Sequence, residues 1–212
     1  MTRTIIGVGG FASNTGKTTL MCELLHAFPG WEAIKMTRGH YRSCGKSAHT
    51  CCVSHLLSAE PVILSGRAET YTAGKDTGRY WDAGASNVHW AIVTDKQVEQ
   101  GIKLALERVR APGVFVEGTS FRRYIDVDFM LMAAAATRLK QLKPSARHAL
   151  AHTDALYLYD EHGDASAARL SFSAWQQTSV TGVLTRSLPV YTKDDLPQLA
   201  DALRAIHERM AV

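Results

Sequence analysis

The run Thr4-Ile5-Ile6-Gly7-Val8-Gly9-Gly10 passes through Phe11-Ala12 into Ser13-Asn14-Thr15-Gly16-Lys17-Thr18-Thr19, and then into an apolar-periodic stretch over residues 20–28. A buried strand, a glycine-containing turn and a following helix are the parts needed to wrap backbone around a phosphate chain. The turn aims its N–H groups at the anion, and the helix beneath offers its positive dipole end. In such a loop Lys17 reaches the β and γ phosphates as a point charge, and the Thr18 hydroxyl holds Mg²⁺. Residues Ser13, Asn14, Thr15, Gly16, Lys17, Thr18 and Thr19 are therefore the candidate nucleotide-binding set. One position departs from the strict spacing G-x-x-x-x-G-K-[ST]: glycine is required at position 11, and this chain has Phe11 with glycines at 9 and 10.

A length of 212 residues with 46% hydrophobic content suits a single nucleotide-binding domain over residues 1–212, with an irregular insertion at about 38–73. The longest apolar run, residues 129–136, is too short to span a bilayer, and residues 1–4 lead into the first strand without a signal-peptide pattern. The expectation is a cytoplasmic protein with no membrane partner. With 24 basic against 20 acidic residues the net charge is only +4, so charge does not imply a nucleic-acid partner. Cysteines at 22, 44, 51 and 52 form no secreted disulfide framework, which favours reduced thiols or a metal over bridges.

Strands and helices alternate along the chain as in an α/β protein with a doubly wound, mostly parallel sheet, the phosphate-loop (P-loop) NTPase fold. Strands are expected over residues 4–8, 31–36, 88–93, 114–116, 128–135, 155–159 and 188–191. Helices are expected over residues 17–27, 76–85, 96–110, 138–150 (basic and broken by Pro144), 165–177, and from the Asp194-Asp195 cap to about residue 210. Residues 37–73 read as irregular, with a short apolar run at 61–64.

Gly113-Val114-Phe115-Val116-Glu117-Gly118-Thr119 is an apolar strand ending in an acid and a glycine. A carboxylate at the C-terminal end of a parallel strand lies beside the phosphate loop, where a divalent ion needs hard oxygen ligands. Glu117 is the candidate for that role, and Thr18 with Glu117 forms the Mg²⁺ set. Lys75-Asp76-Thr77-Gly78-Arg79 opens a helix. Asp76 there either caps the helix or joins the metal shell while Lys75 or Arg79 neutralises phosphate oxygens. Lys17, Glu117 and Asp76 are the candidate catalytic residues. Thr192-Lys193-Asp194-Asp195 fits the [N/T]-K-x-D pattern that reads a guanine edge, although a plain helix cap explains both aspartates.

Ser13-Asn14-Thr15-Gly16-Lys17-Thr18-Thr19-Leu20, Ile34-Lys35-Met36-Thr37, Gly74-Lys75-Asp76-Thr77 with Ala83-Gly84-Ala85, and Phe115-Val116-Glu117-Gly118 occur in this order. Together they resemble the molybdopterin-guanine dinucleotide biosynthesis protein B (MobB) family. The resemblance implies a phosphate-loop protein that binds GTP, commonly as a homodimer, and assists the guanylyltransferase that attaches GMP to molybdopterin. By position it adds Lys35 to the polar groups facing the site, beside Gly16, Lys17, Thr18, Asp76 and Glu117. The segment between Lys35 and Lys75 is longer than the family's usual linker.

That segment carries His40, Cys44, His49, Cys51, Cys52 and His55, with Arg38, Arg42 and Lys46 interspersed. Thiolates and imidazoles suit a transition metal, and Cys44, Cys51, Cys52 and His55 are the candidate ligands of a second metal site. The spacing lacks the paired C-x2-C form, so buried apolar cysteines or an anion held by the basic residues explain the segment equally. The sequence thus points to Mg²⁺-dependent GTP or ATP binding and hydrolysis in molybdenum-cofactor nucleotide metabolism. A small-molecule kinase and a nucleotide-gated metallochaperone are the alternatives.

Overall fold

The computed structural model describes residues 3–39, 53–178 and 188–211. The phosphate-loop segment begins as strand β1, Thr4–Gly10, followed by helix α1, Lys17–Ala27. Next come β2, Glu32–Arg38; β3, Val62–Ser65; the short α2, Arg67–Thr70; and α3, Asp76–Asp82. The chain continues through β4, Val88–Val93; α4, Val98–Arg108; β5, Gly113–Glu117; and β6, Phe129–Ala135. It closes with α5, Pro144–Leu150; β7, Ala155–Tyr159; α6, Ala165–Thr178; β8, Val190–Tyr191; and α7, Leu196–Ala211.

The strands form one sheet in the order β3-β4-β2-β5-β1-β6-β7-β8. Only β3 runs antiparallel, at the edge against β4, and the other pairings are parallel. Parallel strands buried on both faces need apolar residues facing both ways. Val114, Phe115 and Val116 of β5 accordingly have no exposed surface. One face packs Ile6, Val8 and Phe115 against Leu20 and Leu24 of α1, Tyr80 of α3 and Leu199 of α7. The other packs Ile34, Val116 and Met132 against Ile102 of α4, Ala149 of α5 and Phe172 of α6. The connection leaving β1 passes over β5 to reach β2, and the one leaving β5 passes over β1 to reach β6. The adjacent carboxyl ends of β1 and β5 therefore face a crevice, the place where open α/β sheets take their ligands.

Several local expectations are corrected. The apolar run near residues 61–64 is a strand rather than irregular chain, because β4 offers it an edge: Ile63 pairs with Ala91 and Leu64 with Trp90. No continuous helix spans residues 138–150. Residues 136–138 make a 3-10 turn, and Pro144 starts α5 at its first turn, where a missing N–H costs nothing. The strand expected over residues 188–191 is formed only at Val190–Tyr191. Ahead of α7, Asp195 Oδ2 accepts hydrogen bonds from the Thr192 N–H (2.6 Å) and hydroxyl (2.6 Å) and from Arg169 (2.5 Å). That carboxylate is committed to its own turn as the third residue of a capping box, so the cap expected at Asp194 or Asp195 is Thr192 instead.

Candidate functional site

Phe11 explains how the loop tolerates its missing glycine. Its side chain is fully buried on the α6 face of the sheet, 6.0 Å from Trp175 between ring centroids, and so points away from the loop's concavity. Its backbone N–H bonds to Ala133 O and its carbonyl accepts Lys143 N–H, which extends the β1 pairing by one step. Close approach is needed instead at Gly10, where a Cβ would come within 2.5 Å of Thr15 Oγ1 and 2.8 Å of Lys17 Cδ. The left-handed conformations fall at Asn14 (φ 55°) and Gly16 (φ 79°). Such reversals turn neighbouring N–H groups toward one concave side, a nest for anions. Thr15 Oγ1 and Lys17 Nζ both donate to Ala12 O, at 3.2 and 3.1 Å, so the lysine spans the loop it serves.

Sheet register brings the acids and Lys35 to this loop. Val8 of β1 lies beside Glu117 of β5, and Glu117 lies beside Lys35 of β2. Partners in parallel register share a face, so both side chains stand on the α1 side. Lys35 Nζ donates to Glu117 Oε2 at 2.6 Å and to Asp76 Oδ2 at 2.7 Å. Asp76, at the first turn of α3, accepts the Thr18 hydroxyl through Oδ1 at 2.9 Å. Tyr80, one turn further along α3 and completely buried, donates its hydroxyl to Glu117 Oε2. The carboxylate of Glu117 is itself only 3% exposed.

The charges respond to this arrangement. Burial would lower the Lys35 pKa, but Glu117 and Asp76 outweigh it and hold the ammonium above its ordinary range. Burial would raise Asp76, and Lys35 with the Thr18 hydroxyl brings it below the usual carboxylate value. Burial, and then the charge of Glu117, push the Tyr80 hydroxyl well above 10.0, so it remains a donor. Lys17 moves the other way: burial lowers it most, and Lys35 and Lys143 lower it further against the pull of Glu117 and Asp76.

These groups line a cleft of about 660 Å³ that contains Ser13, Asn14, Thr15, Gly16, Lys17, Thr18 and Thr19 together with Lys35, Asp76 and Glu117. Two further lining groups, Lys143 and Tyr159, carried no sequence signal, whereas Arg38 is one of the basic residues expected to hold an anion in the irregular segment. Lys143 Nζ bonds to Ser13 Oγ at 2.8 Å across the loop. The Tyr159 ring closes the far side so tightly that a Cβ on Gly16 would come within 2.3 Å of it. Arg38, at the end of β2, stands at the opposite rim. Tyr80 lies behind the acids, and only its position four residues after Asp76 on one helix face hinted at it. Of the proposed second metal site, Cys44, Cys51 and Cys52 fall outside the described residues, and His55 is exposed on a 3-10 turn. Among the described residues no group of three or more His, Cys, Asp or Glu side chains could hold a metal ion, and no helix is long and apolar enough to cross a membrane.

No protein-family model and no curated protein sequence matches the chain. Among solved structures it is similar to "apo" form LpxK from Aquifex aeolicus in complex with ATP, at 17% identity and a TM-score of 0.50, covering 91% of this chain and 54% of that one. It is also similar to the Zn(II)-bound YjiA GTPase from E. coli, at 14% identity and a TM-score of 0.43, covering 91% and 58%. The chain thus spans little more than half the length of either. Sheet order, loop geometry and the likeness to LpxK define the fold as that of the phosphate-loop NTPases.

Proposed function

We propose that this protein binds a Mg²⁺–nucleoside triphosphate, GTP or ATP, and cleaves its γ-phosphoryl group. The observation that carries the proposal is the convergence of Lys17, Thr18, Asp76 and Glu117 in one cleft at the β1/β5 crevice. The ATP held by the similarly folded LpxK supports the same reading. The donor set fits Mg²⁺, which binds through one or two carboxylates and otherwise keeps water or phosphate oxygens. Thr18 and Asp76, already 2.9 Å apart, are the residues to hold it, with Glu117 behind them. When bound, the ion would neutralise charge on the phosphate oxygens. Lys17 supplies a cation to the β and γ phosphates, and the nest at residues 13–17 holds the phosphate chain. Lys35 keeps Asp76 ionised and holds both Asp76 and Glu117 in place until nucleotide arrives.

The finer reading is an accessory GTPase in molybdenum-cofactor nucleotide metabolism, with molybdopterin or the pathway's guanylyltransferase as partner and a homodimer as its working form. It is supported by the motif resemblance alone. Two variants test the core of the proposal. Lys17→Ala should abolish Mg²⁺-dependent binding of a fluorescent GTP or ATP analogue while the melting curve stays cooperative. Glu117→Gln should still bind the analogue but hydrolyse nucleotide about a hundredfold more slowly, the usual scale for loss of a charged group at the reacting phosphate. Near-normal affinity in Lys17→Ala would overturn the phosphate-loop assignment.

A further inference from the structure

Three cavities lie in a row along the carboxyl edge of the sheet. The first, about 280 Å³, sits at the ends of β7 and β8 between Tyr159 and Lys193. It shares Thr19, Tyr159 and Glu161 with the phosphate-loop cleft. On the opposite side a third cavity of about 500 Å³ shares Arg38 and Lys143 with that cleft. Its walls come from four connections: Arg38 ends β2, Asp95 follows β4, Arg123 and Tyr124 follow β5, and Lys143 and Ser145 lie at the start of α5. Nothing in the nucleotide chemistry above uses this third cavity.

Its lining is biased toward anions. Three cationic side chains face one carboxylate, and that carboxylate, Asp95, is bonded to Arg38 at 2.7 Å. Both members of the pair are more than a third exposed. An ion pair so exposed is weak in water, so an incoming dianion competes effectively for the guanidinium. The positive field extends past the cavity wall: slight desolvation, then Arg123, His152 and Arg122, lower the His148 pKa. Two guanidinium groups and an ammonium from separate connections suit the several oxygens of a phosphate group. Beside them the Tyr124 ring is 39% exposed, one of three large hydrophobic residues so exposed among the described residues, and it offers a flat apolar wall.

We infer that the third cavity is a binding site for a second ligand, a small molecule that carries a phosphate group on a flat, ring-containing body. The phosphate lies among Arg38, Arg123 and Lys143, and the ring lies on Tyr124. Lys143 also bonds to Ser13 of the phosphate loop, so this ligand sits beside the terminal phosphate of the nucleotide. Its role as second substrate or client rests on the nucleotide-binding reading, whereas the pocket's affinity for phosphate does not.

Phenyl phosphate and inorganic phosphate serve as probes, titrated calorimetrically into protein whose loop is filled by Mg²⁺ and a non-hydrolysable nucleotide analogue. Phenyl phosphate should bind at one site, more tightly than inorganic phosphate, and Tyr124→Ala should erase that advantage. Arg123→Glu, a change at an exposed residue, should weaken both probes about tenfold or more, as reversal of a binding charge does, while the analogue still binds. Inorganic phosphate binding as tightly as phenyl phosphate would refute the ring-bearing ligand. Equal probe affinity in wild type and Arg123→Glu, or displacement of the probe by the analogue, would overturn the site. Should the analogue itself fail to bind, the nucleotide reading falls, and the same titrations on Lys17→Ala protein without nucleotide decide the pocket alone.

Discussion

Replacing Lys35 by Met tests whether the ammonium is the internal counter-ion that lets two acids share the site. The side chain is 17% exposed, Glu117 is 3% exposed, and the two are joined at 2.6 Å. Removing one partner of a buried pair strands the other charge, typically at a cost of about 3–5 kcal/mol. Two features reduce that here. Tyr80 still donates to Glu117, and Asp76 is 42% exposed and can turn to water. The expected loss is therefore about 2–3 kcal/mol, most of it from Glu117. Urea denaturation of the ligand-free protein at pH 7 measures it.

A double-mutant cycle with Glu117→Gln isolates the pair, and the coupling should be about 1–3 kcal/mol. The pH dependence has a defined sign. Lys35 is raised above 10.5 in the folded state, so its contribution is complete below that value and is lost as pH climbs through the folded pKa. Asp76 is lowered below 3.8, so its contribution is complete above that value and is lost as pH falls through the folded pKa. The destabilisation in Lys35→Met should thus be flat between these limits and shrink outside them. A variant within about 0.5 kcal/mol of wild type, with no coupling to Glu117, would refute the counter-ion argument.

Gly16→Ala should cost about 1–3 kcal/mol and abolish nucleotide binding, since φ is 79° and the new Cβ would strike the Tyr159 ring; denaturant melts with a nucleotide titration check both. At the opposite end of the sheet His89 is 1% exposed and bridges Ser65 Oγ (2.8 Å) and Glu32 Oε2 (2.7 Å), so His89→Ala should destabilise the fold by about 2–4 kcal/mol in the same assay. Burial would raise Glu32, yet hydrogen bonds from His89 and from Arg110 and Ala111 N–H bring it below 4.5. Its contribution is therefore present above pH 4.5 and lost on acidification, and Glu32→Gln should flatten that limb of the stability profile. Burial pushes the Cys22 thiol up to about 11, so peptide mapping after iodoacetamide treatment of the folded protein at pH 8 should find it unlabelled.

The legible part of this fold was the part encoded locally. Residues 4–27 carry strand, turn and helix signals in one short window, and the structure follows them nearly residue for residue. The edge strand at Val62–Ser65 has no alternation of its own, and its direction comes from pairing with β4, which the local sequence does not encode. The same distinction holds inside the site. An acid at the end of β5 and another at the start of α3 are visible as residues at element ends. Their junction through Lys35 is set by the register Lys35 to Glu117, a contact 82 residues apart in sequence. Tyr80 and Lys143 were missed for that reason too, because a tyrosine inside a helix and a lysine before a proline read as ordinary until the sheet brings them to the loop.

The charge of the cleft gives these pieces a common logic. Its lining carries five cationic side chains, Lys17, Lys35, Arg38, Arg79 and Lys143, against three carboxylates, Asp76, Glu117 and Glu161. Lys35 bonds to both inner acids but balances only one of their two charges, Arg38 reaches out to Asp95, and Lys17 lies within the field of Lys35 and Lys143 as well as that of the acids. Burial, helped by repulsion from Lys35 and Lys143, outweighs the pull of Glu117 and Asp76 and lowers the Lys17 pKa in the ligand-free protein. A triphosphate would reverse the balance: its oxygens would hold the Lys17 charge and draw Lys35 from the acids, leaving Asp76 and Glu117 to a divalent ion. The order of binding follows from this competition, since Mg²⁺ alone must displace an ammonium held at 2.6 and 2.7 Å, whereas the nucleotide complex gives that ammonium somewhere to go. Mg²⁺ alone should therefore bind far more weakly than Mg²⁺ with nucleotide, and Lys35→Met should narrow the gap by freeing both carboxylates.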